Sequence, residues 1–262
     1  MQPTHTIEKM ISTAQGKIFV KIWQPNPSQQ IKEIPILLFH DSLGCVQLWR
    51  DFPDQLCLVT NRMIIAYDRL GFGRSDVMTT KLPINFIQQE SEIFAELLHQ
   101  LEIPEVINFG HSVGGGIAVS CAAQYPSLCR AIITEAAQAY VEPKTLTGIT
   151  LAKQMFQEPE QFQRLKKYHA EKAQWVLDAW TETWLSTEFR NWTLDQDLGS
   201  LSAKILILHG DHDEYGTLEQ PKRLAQYTDA QIHIIQNCGH VPHRENPQQI
   251  IEIVRDFVET YA

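Results

Sequence analysis

The stretch VINFGHSVGGGIAVS, residues 106–120, decides the fold of this chain. Its first four residues are an apolar run of the kind that forms a buried strand, and residues 117–121 continue as a helix. The turn between them, residues 110–114, is Gly-His-Ser-Val-Gly and matches the pattern G-x-S-x-G. In a tight turn between a strand and a helix, small flanking residues let the two elements approach closely, and the serine hydroxyl projects above the sheet. The flanking elements therefore favour a functional Ser112 over a glycine-rich turn with an incidental serine.

Similar apolar runs recur along the rest of the chain and predict a sheet. They cover residues 34–39, 63–67, 106–109, 131–134, 204–208 and 231–235. Because these runs are continuous rather than alternating, they predict strands that are covered on both faces. Apolar residues at helical spacing lie between them, most clearly at 84–101 and 246–260, while 7–11 and 17–23 alternate as an antiparallel hairpin. This order predicts an α/β fold, with a mostly parallel sheet and helices on both faces.

The alternation of strands and helices stops between residues 138 and 198. This segment has no strand-like run, and it holds four of the six tryptophans, which are Trp175, Trp180, Trp184 and Trp192. We predict a helical cap at 138–198 that lies over the carboxyl ends of the strands, and a core domain formed by 1–137 and 199–262. Trp180 and Trp184 are candidates for the wall of an apolar substrate pocket. Their helical spacing fits simple packing of the cap on the core equally well.

Composition and charge argue against several function classes. The 262 residues carry 22 lysines and arginines against 31 aspartates and glutamates, a formal charge of −9, whereas nucleic-acid binding needs clustered basic residues. No apolar run reaches the length of about 18 residues that a membrane-spanning helix needs, and residues 1–10 lack a hydrophobic signal region. Five scattered cysteines without CxxC spacing indicate reduced thiols rather than disulfides or a zinc site. We therefore expect a cytoplasmic protein with neither a nucleic-acid nor a membrane partner, and the sequence leaves its oligomeric state open.

The serine turn and its context make the chain resemble the α/β-hydrolase fold family, in the serine esterase-like branch with a helical cap. Four motifs occur in that family's order, and the resemblance covers nearly the whole chain. In this family the catalytic residues follow the chain order serine, acid, histidine. The histidine takes the proton of the serine, and the acid orients the histidine. The resemblance thus implies that Ser112 is a nucleophile.

By the resemblance, the acid follows the apolar run that ends at residue 208. The family's Gly-x-x-Asp pattern falls on residues 210–213 and makes Asp213 the candidate acid. Asp211 and Glu214 are close alternatives. Glu135 is a more distant one, because it follows the run 131–134 and would also lie above the sheet.

The candidate base is His240, which lies in the family's Gly-His loop just after the run 231–235. His243 is an alternative, although a cap or contact at the helix that starts near Pro247 fits it better. The stretch His-Gly-Asp-His-Asp at 209–213 has residue types that bind metals. No second ligand cluster is apparent in the sequence, so we expect no metal site.

An oxyanion hole needs preorganised N–H donors for the negative oxygen of a tetrahedral intermediate. The resemblance implies the N–H of Val113, directly after the serine, and the N–H of Ser42, in the loop His-Asp-Ser-Leu-Gly at 40–44. Asp41 stands where the family usually has glycine. Aspartate tolerates left-handed backbone angles, so the turn is expected to survive, but its carboxylate would oppose an oxyanion unless it points away or is paired. Residues 68–76 resemble the family's D-x-x-G-x-G-x-S turn and lack the third glycine of a dinucleotide fingerprint, which predicts a structural role.

Together these residues predict a serine hydrolase without a cofactor. It would cleave a carboxylic ester, thioester or lactone of a small, largely apolar substrate through an acyl-enzyme. Two alternatives stay open. Enzymes with the same triad also hydrolyse carbon–carbon bonds, and some proteins that look like this one are receptors that bind a small molecule and turn it over slowly.

Overall fold

The centre of the computed structural model, which describes residues 4–26 and 32–262, is an eight-stranded sheet. The strands are β1 (His5–Thr13), β2 (Gly16–Gln24), β3 (Lys32–Phe39), β4 (Arg62–Tyr67), β5 (Val106–His111), β6 (Cys129–Glu135), β7 (Lys204–Gly210) and β8 (Ala230–Ile235). Their order across the sheet is β1-β2-β4-β3-β5-β6-β7-β8. β2 pairs antiparallel with β1 and β4, and all other pairings are parallel. The carboxyl ends of β3 to β8 therefore meet at one edge.

All six apolar runs and the hairpin form strands, so the predicted mostly parallel sheet is confirmed. β5 continues beyond its apolar run, because its ladder with β6 also pairs Gly110 with Thr134 and His111 with Glu135. One expectation was wrong, since β8 is not covered on both faces. It lies at the edge of the sheet, and its residues 231–233 are exposed.

Helices cover both faces of the sheet, as predicted. They are α1 (Phe52–Thr60), α2 (Phe86–Gln100), α3 (Val113–Gln124), α4 (Pro143–Met155), α5 (Pro159–His169), α6 (Ala173–Trp184), α7 (Asp195–Leu198), α8 (Glu219–Ala225), α9 (Pro242–Glu245) and α10 (Pro247–Tyr261). Short 3-10 helices occur at Val46–Trp49, Pro126–Leu128 and Ala170–Lys172. Side chains of α2 and α3 form one buried cluster with the sheet, and those of α1 and α10 form another. The sheet is thus the middle of three layers.

Two glycines let α3 start directly against the sheet. A Cβ atom on Gly114 would lie 2.1 Å from the carbonyl oxygen of Phe39, at the end of β3. A Cβ atom on Gly110 would lie 2.0 Å from the carbonyl oxygen of Gly114. Both approaches are closer than any larger residue permits, which is the packing reason for the two glycines of the G-x-S-x-G pattern.

The segment between β6 and β7 is helical and contains α4 to α7. An isolated β-bridge joins Tyr140 to Thr193. The rings of Trp184, Phe189 and Trp192 contact one another, and the first two belong to the same buried cluster as α2 and α3. Helices therefore lie where the sequence predicts the insertion, while the boundaries of a separate cap at 138 and 198 stay a prediction.

Two further expectations concern the state of the cysteines and the presence of a membrane-spanning helix. The five cysteines are free and buried. Burial raises the pKa of Cys45, Cys57 and Cys129 to about 12, so these thiols stay protonated at neutral pH. Across residues 4–26 and 32–262, no helix is both long enough and apolar enough to cross a membrane.

Candidate active site

Ser112 occupies the turn between β5 and α3 in a strained backbone conformation. Its φ is 55° and its ψ is −125°, a region that non-glycine residues rarely adopt. Two hydrogen bonds hold the turn: Ser112 N–H donates to the carbonyl of Glu135 (2.8 Å), and Gly115 N–H donates to the carbonyl of Ser112 (2.9 Å). Such strain costs on the order of 1–3 kcal/mol and persists only where the surroundings enforce it. The predicted strand–turn–helix unit around Ser112 is present.

The structure brings the three residues of the predicted triad into one hydrogen-bonded line. Ser112 Oγ lies 3.0 Å from His240 Nε2, and His240 Nδ1 lies 2.9 Å from each carboxylate oxygen of Asp213. Asp213 Oδ1 also accepts the backbone N–H groups of Tyr215 (2.7 Å) and Gly216 (3.1 Å). With Nδ1–H donating to the carboxylate, Nε2 is free to accept the serine proton, which is the arrangement that general-base catalysis needs.

The electrostatics of this line favour a charged acid and a basic histidine. Burial acts to raise the pKa of Asp213, but the charge of His240 and its hydrogen bond outweigh it, so the pKa is lowered. Burial likewise acts to lower the pKa of His240. The charge and hydrogen bond of Asp213, with further contributions from Glu214 and Asp41, prevail and raise it. The imidazolium form of His240 is therefore stabilised.

The alternative acids all have other partners. Asp211 Oδ1 accepts the N–H of Cys238 (3.1 Å), and Glu214 Oε2 accepts the backbone N–H of His240 (3.1 Å). Glu135 Oε2 lies 2.5 Å from Nδ1 of His243. Among the candidate acids, the geometry therefore favours Asp213 as the partner of the His240 ring.

His243 lies in α9, directly before the helix that starts at Pro247. Its ring packs against Trp49 (centroids 4.7 Å apart) and Phe52 (5.2 Å) and contacts Glu135, rather than capping the helix that starts at Pro247. Burial lowers the pKa of His243 to about 3, so this ring stays neutral. It is a buried core histidine.

His111, Glu135 and His243 form a buried cluster behind the triad that sequence reasoning missed. His111 Nε2–H donates to the backbone carbonyl of His240 (2.8 Å), and the ring centroids of His111 and His243 lie 5.0 Å apart. Burial lowers the pKa of His111 to about 4 and raises that of Glu135 to about 7. The available signal was the strand register, since His111 ends β5 directly opposite Glu135 on β6.

These three residues are also of types that bind metals. Their candidate ligand atoms all lie within 4.8 Å of one another. His111 and His243 already use ring nitrogens in hydrogen bonds to His240 and Glu135, and all three side chains are buried. This donor set fits an internal hydrogen-bond network better than an open metal site. His209, from the other metal pattern considered, lies 3.7 Å from the Asp213 carboxylate.

The loop that carries Ser42 is held by the carbonyl of Asp41. This oxygen accepts from His40 Nδ1–H (2.8 Å), Arg69 Nη2 (3.1 Å) and Gly44 N–H (3.2 Å). Contrary to expectation, Asp41 does not adopt a left-handed backbone, so the loop needs no special tolerance there. A Cβ atom on Gly44 would lie 2.0 Å from Asp41 Oδ1, which shows that the carboxylate turns back towards Gly44.

The two predicted oxyanion donors belong to different segments, the start of α3 and the loop after β3. Val113 is the first residue of α3, where N–H groups lack partners within the helix. Ser42 lines the cavity that also contains Ser112. Gln138, which sequence reasoning missed, places Oε1 3.5 Å from Ser112 Oγ and is 4% exposed. It follows β6 by three residues, and its position at the carboxyl edge was the available signal.

A cavity of about 220 Å³ opens in front of Ser112. Its apolar wall contains Leu43, Ile149, Trp180, Trp184 and Val241. Trp180 and Trp184 line this cavity and also pack in the core cluster, so their role in substrate binding stays a prediction. Known small-molecule sites measure about 300–1,000 Å³, so this one suits a small substrate.

Comparison with known proteins agrees with this architecture. The model of a family described as "Alpha/beta hydrolase family" matches residues 36–253, well over half of the chain. The chain belongs to the alpha/beta hydrolase family. The predicted family resemblance is therefore confirmed at the level of the family and its fold.

Relatives of this alpha/beta hydrolase are distant in sequence. It is 25% identical over 250 residues to the 2-hydroxy-6-oxo-2,4-heptadienoate hydrolase of Pseudomonas putida, covering 86% of this chain and 88% of the relative. It is also 25% identical over 253 residues to the Arabidopsis thaliana alpha/beta hydrolase domain-containing protein VTE7, covering 85% and 73%.

Solved structures share the fold of this alpha/beta hydrolase. A proline iminopeptidase from Mycobacterium smegmatis superposes with a TM-score of 0.74 at 18% identity, covering 97% of this chain and 98% of the other. A thermophilic esterase from Thermogutta terrifontis gives a TM-score of 0.74 at 17% identity, covering 98% and 99%. At these identities the likeness concerns the fold alone.

The turn at 68–76 has the structural surroundings that the sequence predicted for it in this hydrolase. The Asp68 carboxylate accepts the N–H groups of Val46 and Arg74, each at 2.6 Å. His169, at the end of α5, accepts the N–H of Gly73 at Nδ1 (2.9 Å) and donates from Nε2 to the carbonyl of Leu43 (2.9 Å). The turn thus connects α5 to the loop beside the cavity.

Proposed function

We propose that this hydrolase cleaves a carboxylic ester, thioester or lactone of a small, largely apolar molecule through an acyl-enzyme. The observation that carries the proposal is the hydrogen-bonded line from Ser112 Oγ through His240 to Asp213, at 3.0 and 2.9 Å. The small, largely apolar cavity in front of Ser112 supports the substrate class. The reaction uses water as its co-substrate and requires no cofactor, nucleic acid or membrane.

In the first half of the proposed reaction, His240 Nε2 takes the proton of Ser112 as Oγ attacks the carbonyl carbon. Asp213 stabilises the imidazolium that forms. The negative oxygen of the tetrahedral intermediate accepts the N–H groups of Val113 and Ser42. His240 then gives its proton to the departing alcohol, thiol or ring oxygen, which leaves an acyl-Ser112 ester.

In the second half, His240 takes a proton from water, whose oxygen attacks the acyl carbon. A second tetrahedral intermediate uses the same N–H donors, and His240 returns the proton to Ser112 Oγ as the acid departs. Each oxyanion donor of this kind is worth roughly 10²–10³ in kcat in comparable enzymes.

The proposed nucleophile is tested with a fluorophosphonate probe, followed by mass spectrometry of the labelled peptide. We expect labelling of Ser112 in the wild type and none in Ser112→Ala, with Ser120→Ala on α3 as the matched control that stays labelled. Steady-state hydrolysis of p-nitrophenyl acetate, butyrate and octanoate then ranks acyl size. Labelling with negligible turnover would favour a slow receptor, and labelling elsewhere would refute the mechanism.

Carbon–carbon bond hydrolysis is a second candidate, because the Pseudomonas putida relative and a 2-hydroxymuconate semialdehyde hydrolase of Pseudomonas sp. (24% identical over 256 residues) align with 86% of this chain. The name heptadienoate denotes a carboxylate-bearing substrate. In the described part of the chain, no lysine or arginine lines the cavity to bind such a group. We therefore expect p-nitrophenyl butyrate to be hydrolysed with a higher kcat/KM than 2-hydroxy-6-oxo-2,4-heptadienoate. The reverse order would favour the second candidate.

A further inference from the structure

Two acidic residues, Asp41 and Glu214, line the cavity in front of Ser112. Asp41 enters from the loop after β3, and Glu214 enters from the loop after β7. Of the described residues that line the cavity, none is a lysine or an arginine. Apart from His240, the rest of the lining is apolar or uncharged.

Among the described residues neither carboxylate is paired with a cation, although the charge of Asp41 acts on the buried guanidinium of Arg69. Within residues 4–26 and 32–262, neither Asp41 nor Glu214 takes part in an ion pair with lysine or arginine. Arg69 donates to the backbone carbonyl of Asp41 (3.1 Å). Among the described residues, the backbone N–H of His240 makes the only hydrogen bond to the Glu214 carboxylate. Their negative charges are therefore available to act on a bound molecule.

Both charges reach the reacting groups. Burial acts to lower the pKa of His240, yet Asp213, Glu214 and Asp41 together raise it. A substrate seated against Ser112 lies in this same field, between an apolar wall and two negative groups. Repulsion between like charges is strengthened where water is displaced, because the effective dielectric constant is lower there.

We infer that Asp41 and Glu214 select substrates by charge and exclude molecules that carry a carboxylate. This inference rests on the proposed function, since it concerns the substrate of the same site. A carboxylate that enters the cavity loses hydration, finds no lysine or arginine in the described lining, and meets two like charges. A neutral group of the same shape loses little on entry. The substrate class is therefore a neutral ester or lactone rather than the monoester of a dicarboxylic acid.

The test compares two esters that differ in charge and little in shape: p-nitrophenyl hydrogen adipate and its methyl ester at the distal carboxyl group. Release of p-nitrophenolate is measured at neutral pH, with the uncatalysed rate subtracted. We expect kcat/KM to be at least about tenfold higher for the methyl ester at low ionic strength. Addition of about 0.5 M NaCl should reduce this ratio, because salt screens the charges.

Glu214→Gln identifies the groups responsible. Glutamine keeps an oxygen that can accept the N–H of His240, so the variant removes the charge with little change in shape. We expect the ratio of the two kcat/KM values to fall at least about threefold. Glu92→Gln makes the same change in net charge on the exposed side of α2 and should leave the ratio unchanged. The ratio divides out any loss of activity common to both esters.

Equal kcat/KM values for the two wild-type reactions, or a preference for the acid, would overturn the inference. A ratio that responds equally to Glu214→Gln and Glu92→Gln would do so as well. If neither ester is turned over, the proposed function fails, and calorimetric titration of Ser112→Ala with both esters still tests the charge rule. Tighter binding of the methyl ester would support the rule, and equal or weaker binding would refute it.

Discussion

Two histidine–carboxylate pairs lie at the carboxyl edge of the sheet, and their histidines are three residues apart in the sequence. His240 bonds to Asp213 at 2.9 Å, and His243 bonds to Glu135 at 2.5 Å. Both carboxylates are fully buried, and both histidines are less than 9% exposed. Residue type and burial are therefore nearly the same in the two pairs, yet the protons are held differently.

The carboxylates differ in their remaining partners. Two backbone N–H groups, from Tyr215 and Gly216, donate to Asp213, and together with His240 they keep its pKa low against burial. Among the described residues, Glu135 Oε1 has no hydrogen-bond partner, and burial raises the pKa of Glu135 to about 7. Backbone donors stabilise a carboxylate. A backbone hydrogen bond from His243 also lowers the pKa of Glu135, but burial outweighs it and favours the protonated acid.

The two histidines also differ in the direction of their pKa shifts. His240 reaches Ser112 and the cavity, and its pKa is raised by three carboxylates despite burial. His243 is enclosed by Trp49 and Phe52, and burial lowers its pKa to about 3. The first pair can thus receive a proton and stabilise the charge. In the second pair, the two pKa values keep both side chains uncharged at pH values between about 3 and 7. The same residue type, histidine, thus has a raised pKa in one pair and a lowered pKa in the other, according to its surroundings.

The largest expected effect comes from replacing each acid by its amide. Asp213→Asn removes the charge that stabilises the His240 imidazolium and orients the ring, so kcat should fall by about 10⁴-fold. Glu135→Gln keeps an N–H that can donate to His243, so kcat should fall by about tenfold or less. Steady-state kinetics on one p-nitrophenyl ester provide the comparison, with circular dichroism as the folding control. Similar losses in the two variants would break the distinction between the pairs.

A second prediction concerns the free energy of unfolding as a function of pH. Between pH 4.5 and 6.5 the unfolded chain holds one proton on this pair, on His243, and the folded chain also holds one, on Glu135. The contribution of the pair is therefore flat in this window and is lost only as the pH falls from 4.5 towards 3. In Glu135→Gln, only the unfolded chain binds a proton below pH 6.5.

The Glu135→Gln variant should thus lose about 2 kcal/mol relative to the wild type between pH 6.5 and about 5. Urea unfolding at a series of pH values measures this, with Glu92→Gln as the control of equal charge change. The charge of Glu135 acts to raise the pKa of His111, which burial lowers to about 4, so the variant can move that pKa only further below the window from pH 5 to 6.5. Parallel stability curves for the wild type and Glu135→Gln would show that the proton is not on Glu135.

The smallest expected effect is on the pH profile of kcat/KM. Because the pKa of His240 is raised, activity should decline with falling pH at a midpoint above 6.5, where the base becomes protonated. Glu214→Gln removes one of the charges that raise this pKa and should move the midpoint down by about half a unit or less. Glu92→Gln should not move it. A wild-type midpoint below 6.5 would contradict the role of Asp213, Glu214 and Asp41 in the site.

Local patterns in the sequence were sufficient for the strands, for α2, α3 and α10, and for the identity of the Ser112 turn. The strand, turn and helix predicted from residues 106–120 follow one another directly in the chain. Their structure therefore depends on interactions between sequence neighbours. The order of the motifs identified Asp213 and His240 as candidates. It did not show the distance between the two side chains. The exposed face of β8 was missed because its apolar residues cannot indicate which strand lies at the edge of a sheet.

By itself, the sequence determined the order of strands and helices, the strained serine turn and the residue types available at the carboxyl edge. Only the tertiary structure decided which histidine meets which carboxylate, because strand register places His111 opposite Glu135 and the loops after β7 and β8 bring Asp213 to His240. It also decided that Asp41 keeps an ordinary backbone and that its charge shares a cavity with Glu214. These properties depend on burial and on distances between residues far apart in the chain, which no local pattern contains.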